Sequence, residues 1–109
     1  MPTVPNGLLD LDISHTNISV IPSLPANLER LDISYTPINS LPILPYTLIN
    51  LDILNTGINQ VTANDIVLNL YTTGQTFGEL HVSSTIDTTT YNYWNKLVTD
   101  RNWIIDLVV

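Results

Sequence analysis

The chain restates itself every twenty residues. Pro2, Pro22 and Pro42, then Pro5, Pro25 and Pro45, then Leu11-Asp12-Ile13, Leu31-Asp32-Ile33 and Leu51-Asp52-Ile53 all return at that one interval. A short fixed period constrains the fold more than any single motif, because one unit is too small to bury its apolar side and must stack on its neighbours. The period therefore predicts a solenoid in which each column of the repeat becomes a row along the molecule.

Aligned on the period, the apolar columns are Leu8, Leu28, Leu48; Leu11, Leu31, Leu51; Ile13, Ile33, Ile53; Ile18, Ile38, Ile58; and Val4, Leu24, Leu44. Within Leu-Asp-Ile the apolar residues alternate with Asp, as in a strand with one buried face, which sends both aliphatic side chains inward and the carboxylate outward. Short parallel strands follow. The return segments Ile21-Pro22-Ser23-Leu24-Pro25 and Leu41-Pro42-Ile43-Leu44-Pro45 are excluded from regular helix. Two prolines three apart remove N–H donors and push the preceding residues toward extended or polyproline backbone. The convex side of these units is expected to be thin.

After Gln60 the spacing lengthens. Thr62-Ala63-Asn64-Asp65 reads as a capping sequence with Asp65 in the first turn, and Ile66, Leu68, Leu70 and Tyr71 give apolar positions for a short helix ending before Gly74. Gly78-Glu79-Leu80-His81-Val82-Ser83 alternates like the earlier strands and aligns Leu80-His81-Val82 with Leu51-Asp52-Ile53. A second helix is expected from Tyr91 to about Asp100, burying Trp94, Leu97 and Val98. Trp103-Ile104-Ile105-Asp106-Leu107 then reads as a fifth strand whose Ile105-Asp106-Leu107 repeats the earlier theme. The chain is read as one α/β domain over 1–109, with three twenty-residue units in 1–60 and two longer, helix-containing units in 61–109.

Leu24-Pro25-Ala26-Asn27-Leu28 and Leu44-Pro45-Tyr46-Thr47-Leu48 carry an L-P-x-x-L signature, with Val4-Pro5-Asn6-Gly7-Leu8 as a degenerate first copy. Over residues 1–60 the pattern resembles the bacterial class of leucine-rich repeats, whose units run L-P-x-L-P-x-x-L-x-x-L-x-V-x-x-N-x-L over about twenty residues. The chain departs from that pattern in one column: Thr16, Thr36 and Thr56 stand where the family has Asn, and their hydroxyls are expected to bond to turn backbone groups. The best-known relatives in this pattern are secreted effectors, some with a Cys-dependent ubiquitin-ligase domain. That activity does not carry over, since the chain has no Cys. Gly78-Glu79-Leu80-His81-Val82 and Arg101-Asn102-Trp103-Ile104-Ile105 are similar to the terminal segment of short leucine-rich repeat proteins of bacteria and their phages. The resemblance implies a leucine-rich repeat solenoid with an extended convex side in the first three units and short helices in the last two.

A net charge of −7 is divided as −4 over 1–60 and −3 over 61–109. Three basic residues in all, Arg30, Lys96 and Arg101, are too few to neutralise a run of phosphates, which argues against nucleic acid or an anionic membrane as partner. A cationic partner is compatible. Without Cys there are no disulfides, thiolate metal sites or thiol nucleophiles. Neither a signal peptide nor a membrane-spanning run is evident in the sequence, and the compartment is left unassigned.

The outward strand positions form the expected working face. In register, Asp12, Asp32 and Asp52 stand in file at about 4.8 Å intervals, continued by His81 and Asp106. Such a file repels itself unless it is hydrogen-bonded, screened or answered by a cation, so it reads either as a binding strip or as a copied, solvated Asp. Arg30 beside it and Tyr35 at the strand exit complete the candidate partner-binding set. One Asp per strand is a poor calcium cage and the two histidines have no second ligand nearby, so no metal and no cofactor is expected. Asp12, Ser14 and His15 do not read as a catalytic triad, since neighbours on a strand point to opposite faces and no oxyanion segment is evident. Trp94, Trp103, Tyr91 and Tyr93 read as the hydrophobic lid of the last units rather than a sugar platform.

Solenoids usually protect their terminal units with polar caps. Here Leu8, Leu11 and Ile13 open the array, and Asp106-Leu107-Val108-Val109 close it without such a cap. Stacking of one or both ends on another copy, or on a larger assembly, is therefore expected. The sequence as a whole predicts a non-catalytic protein-interaction or assembly module acting through the concave strand face or the ends. The alternatives are a phage virion or host-recognition component, and a secreted effector or enzyme-associated module.

Overall fold

A computed structural model describes residues 7–108 of the chain; Pro2, Val4, Pro5 and Val109, which figure in the sequence reading, lie outside the described residues. Five strands alternate late in the chain with two helices: β1 (Asp10–Asp12), β2 (Arg30–Asp32), β3 (Asn50–Asp52), α1 (Gln60–Thr73), β4 (Glu79–Ser83), α2 (Asn92–Arg101) and β5 (Ile104–Val108). The strands form one all-parallel sheet in the order β1-β2-β3-β4-β5. The molecule is thus an α/β domain in which every connection leads to the adjacent strand.

Register follows the sequence period. Leu11 pairs with Leu31, Leu31 with Leu51, Leu51 with Leu80 and Leu80 with Ile105. Just beyond the first three strands, the N–H groups of Ile13, Ile33 and Ile53 donate to the carbonyls of Asp32, Asp52 and His81 at 2.9, 3.0 and 3.0 Å. Slipping any strand by one residue would turn its Leu row to solvent and its Asp into the core, which is what fixes the pairing. Leu31, Leu51 and Leu80 are fully buried, with Leu28, Ile33, Ile38 and Leu48 behind them.

Residues 17–25 and 37–45 contain neither helix nor strand, in keeping with their prolines. The threonine column does bond to turn backbone. The hydroxyls of Thr16, Thr36 and Thr56 donate to the carbonyls of Ile13, Ile33 and Ile53 at 2.7, 2.7 and 3.0 Å. Each closes its own turn rather than reaching the next unit.

Helix α1 begins earlier than the expected Thr62–Asp65 cap. Asn59 is the N-cap, its side chain accepting from the Thr62 N–H at 3.0 Å, which moves Asp65 beyond the first turn. From that start Ala63, Ile66, Val67 and Leu70 fall on the core face, so Val67 takes the buried place expected for Leu68. Gly74 ends the helix in the left-handed conformation, at φ 83°. In α2, Trp94 and Leu97 are buried as expected, but Val98 is 41% exposed because it falls one position past the core-facing stripe.

Both tryptophans belong to the core. Trp94 Nε1 donates to Asn64 Oδ1 at 2.7 Å, tying α2 to α1, and Trp103 Nε1 donates to the Gln75 carbonyl at 2.9 Å. Trp103 lies flat against Gly78, where a Cβ would stand 2.4 Å from its ring. The packing accounts for glycine at the start of Gly78-Glu79-Leu80.

Candidate functional site: the acidic strand face

Opposite the buried rows, the sheet presents two polar rows. One runs Asp12, Asp32, Asp52, His81, Asp106, and the other Asp10, Arg30, Asn50, Glu79, Ile104. Six of the chain's ten acidic residues therefore share one face with a single permanent cation, Arg30. Of these, Asp10, which the period places beside the file, and Glu79 stand outside the partner-binding set read from the sequence. They sit two positions before the Asp12 and His81 positions on their own strands, and alternation alone places them on the same face.

The acids are held apart by local partners. The Ser14 N–H and hydroxyl donate to Asp12 Oδ1 at 2.9 and 2.5 Å, and Ser34 treats Asp32 the same way at 2.9 and 2.6 Å. The Ser14 hydroxyl bond, reinforced by the Ser14 N–H, holds the Asp12 carboxyl below the usual carboxylate range. In the third unit Leu54 replaces the serine, and Asp52 keeps only a backbone N–H at 3.0 Å. Burial, with Asp32 alongside, pushes the Asp52 carboxyl up.

Arg30 bridges the two rows. Its Nη1 lies 2.9 Å from Asp10 and its Nη2 3.6 Å from Asp32. The hydrogen bond that Arg30 donates to Asp10 is the main cause of its raised pKa. His81 plays the corresponding part further along, with Nδ1 3.0 Å from Asp106 and Nε2 3.5 Å from Glu79. Arg30 and His81 are thus engaged with the face's own acids.

Tyr35 leaves this face at the strand exit. It is 47% exposed, and its ring stacks on His15 with centroids 4.5 Å apart and planes 10° from parallel. The two rings stand twenty residues apart, so the period already paired them. Asp12 and Ser14, expected on opposite faces, are in contact on one face because they are two apart, not one. The contact is a turn device: the Ser14 hydroxyl donates a hydrogen bond to Asp12, and the His15 ring is packed on Tyr35.

Among the described residues no group of three or more His, Cys, Asp or Glu is placed to hold a metal ion. None of their helices is long and apolar enough to cross a membrane. No family model matches the chain, and no curated protein matches its sequence.

Proposed function

We propose that the chain is a non-catalytic leucine-rich repeat module, a short solenoid of five stacked units, that binds a protein partner carrying a basic surface. The observation that supports this reading is the file of Asp12, Asp32, Asp52, His81 and Asp106 across adjacent strands, flanked by Asp10 and Glu79. A parallel sheet holds these groups at about 4.8 Å intervals, closer than the Debye length in physiological salt, so their fields add and steer a cation toward the sheet. Asp52, half-buried and without a serine partner, is the member whose charge is least well answered inside the molecule. An arginine or lysine from outside would meet that need.

The test is a triple variant, Asp12→Asn, Asp32→Asn and Asp52→Asn, compared with the parent chain for proteins retained from a host extract and released by salt. Loss of the retained set, with an unchanged circular dichroism spectrum, is expected; equal retention by the two chains contradicts the reading.

A second reading, assembly through the ends, has one observation in its favour. On the last strand Ile104 and Leu107 are 61% and 45% exposed. Leu107→Lys should then lower the mass measured by light scattering at high concentration, whereas the triple Asn variant should not.

A further inference from the structure

We propose that the cavity beside Tyr35 is a subsite for one neutral pyranose ring, such as the terminal residue of a glycan. The inference is independent of the acidic face and of any protein that binds there.

The positions at the apex of the first three strand exits are His15, Tyr35 and Asn55, all in the left-handed conformation with φ of 58°, 57° and 51°. Glycine, asparagine and histidine adopt this region most readily, and a bulky tyrosine is an outlier there, so the second unit places its ring where the backbone disfavours it. His15 covers Tyr35 from the side of the first unit. On the side of the third unit the column holds Asn55 instead of a ring, and Tyr35 and Asn55 both line an open cavity of about 220 Å³. The aromatic stack stops one ring short of filling its column.

The size of the space fits a single ring rather than a drug-sized ligand. Its chemistry selects which ring. Tyr35 is the one ionisable residue among the described residues of the lining, which argues for a neutral ligand. Asn55, Ser84 and Thr85 are exposed on the wall and bring an amide and two hydroxyls, over a floor that includes Ile53 and Ile58. The Ser83 hydroxyl accepts from the Asn55 N–H at 3.0 Å, which leaves its own proton to donate. An apolar aromatic group sliding onto Tyr35 would strip water from these polar groups without replacing it. A pyranose presents C–H groups to the electron-rich ring face and hydroxyls at its rim, and meets both demands. The walls are set in advance, since the Tyr35 N–H donates to the Leu54 carbonyl at 2.9 Å and Asn55 is held by Ser83.

The test is a titration of the ¹⁵N-labelled chain with the methyl glycosides of glucose, galactose, mannose and N-acetylglucosamine, read by amide shifts. At least one glycoside should move the resonances of Tyr35, Asn55, Ser84 and Thr85. Tyr35→Ala should weaken that binding about tenfold, and Tyr35→Phe, which keeps the ring, should hold it within about twofold. Asn55→Tyr, which supplies the missing ring from within, should abolish it while leaving the acidic-face shifts in place. The proposal is overturned if none of the four glycosides moves these residues, or if Tyr35→Ala binds as the parent does. It is equally overturned if N-acetyltyrosine amide moves them and the glycosides do not.

Discussion

One hydrogen atom separates Gly78 from a collision with Trp103. A methyl group there would sit 2.4 Å from the ring, and Trp103 is fully enclosed and anchored to Gln75, so the strain has no outlet. Gly78→Ala should cost about 1–3 kcal/mol in urea unfolding; a cost near zero would mean that the ring is free to move. Among the acids, the first and third copies of one motif should respond in opposite senses. Asp52 has its pKa raised by burial, so between the ordinary Asp value of 3.8 and the raised value the folded chain holds a proton that the unfolded chain has lost. Its contribution to stability therefore falls as pH rises through that window. Asp12 is lowered by Ser14, so its contribution is present above 3.8 and is lost as pH falls through the lowered value. At pH 7 Asp52→Asn should stabilise and Asp12→Asn should destabilise, in melts recorded side by side; the same sign for both would contradict the assignment. The Asp file itself was legible because alternation and period are sequence properties. The difference between its members was less so, since it depends on how deeply Asp52 is buried as well as on the serine it lacks.

At the scale of elements, the helices were legible in number and approximate place, while their ends were not. Asn59 follows the apolar Ile58 of the repeat column and so read as part of the third unit, yet its amide caps α1 and shifts the buried stripe by one residue. Asn59→Ala should lower stability by about 1 kcal/mol and reduce helical ellipticity, whereas Thr62→Ala should leave the cap intact. The turn before α2 is built on Asp87, whose carboxylate accepts from the Thr90 hydroxyl, the Thr89 N–H and the Thr89 hydroxyl. These bonds, Thr90 first, hold its pKa down at about 2 against an ordinary 3.8. A lowered carboxyl contributes stability above its unfolded pKa and loses it as pH falls toward the folded one. Asp87→Asn should therefore be less stable than the parent at pH 7, with the gap closing between about pH 4 and about pH 2. A gap that persists at pH 2 would rule out the carboxylate as its source. Nothing in the period announced this turn, because it lies in the stretch where the spacing lengthens and its partners come from the threonine run itself.

For the whole molecule, the period carries the architecture. Strands twenty residues apart lie side by side because the same aliphatic positions recur, and the two longer units join the sheet through Leu80 and Ile105 at matching positions. The result is a body of 36 × 26 × 19 Å with six of the ten acids and Arg30 on the strand face, while Lys96 and Arg101 lie in α2, over the rings of Tyr93 and Tyr71. Such a concentration of acids is a property of the parallel sheet, invisible in the even division of charge along the chain. Everything proposed for the acidic face rests on the strands being parallel and in that register. Scalar coupling through hydrogen bonds, measured on the ¹³C,¹⁵N-labelled chain, tests it most directly. The nitrogens of Ile13, Ile33 and Ile53 should couple to the carbonyl carbons of Asp32, Asp52 and His81, their partners at 2.9, 3.0 and 3.0 Å. Couplings from these nitrogens to any other carbonyls would contradict the account.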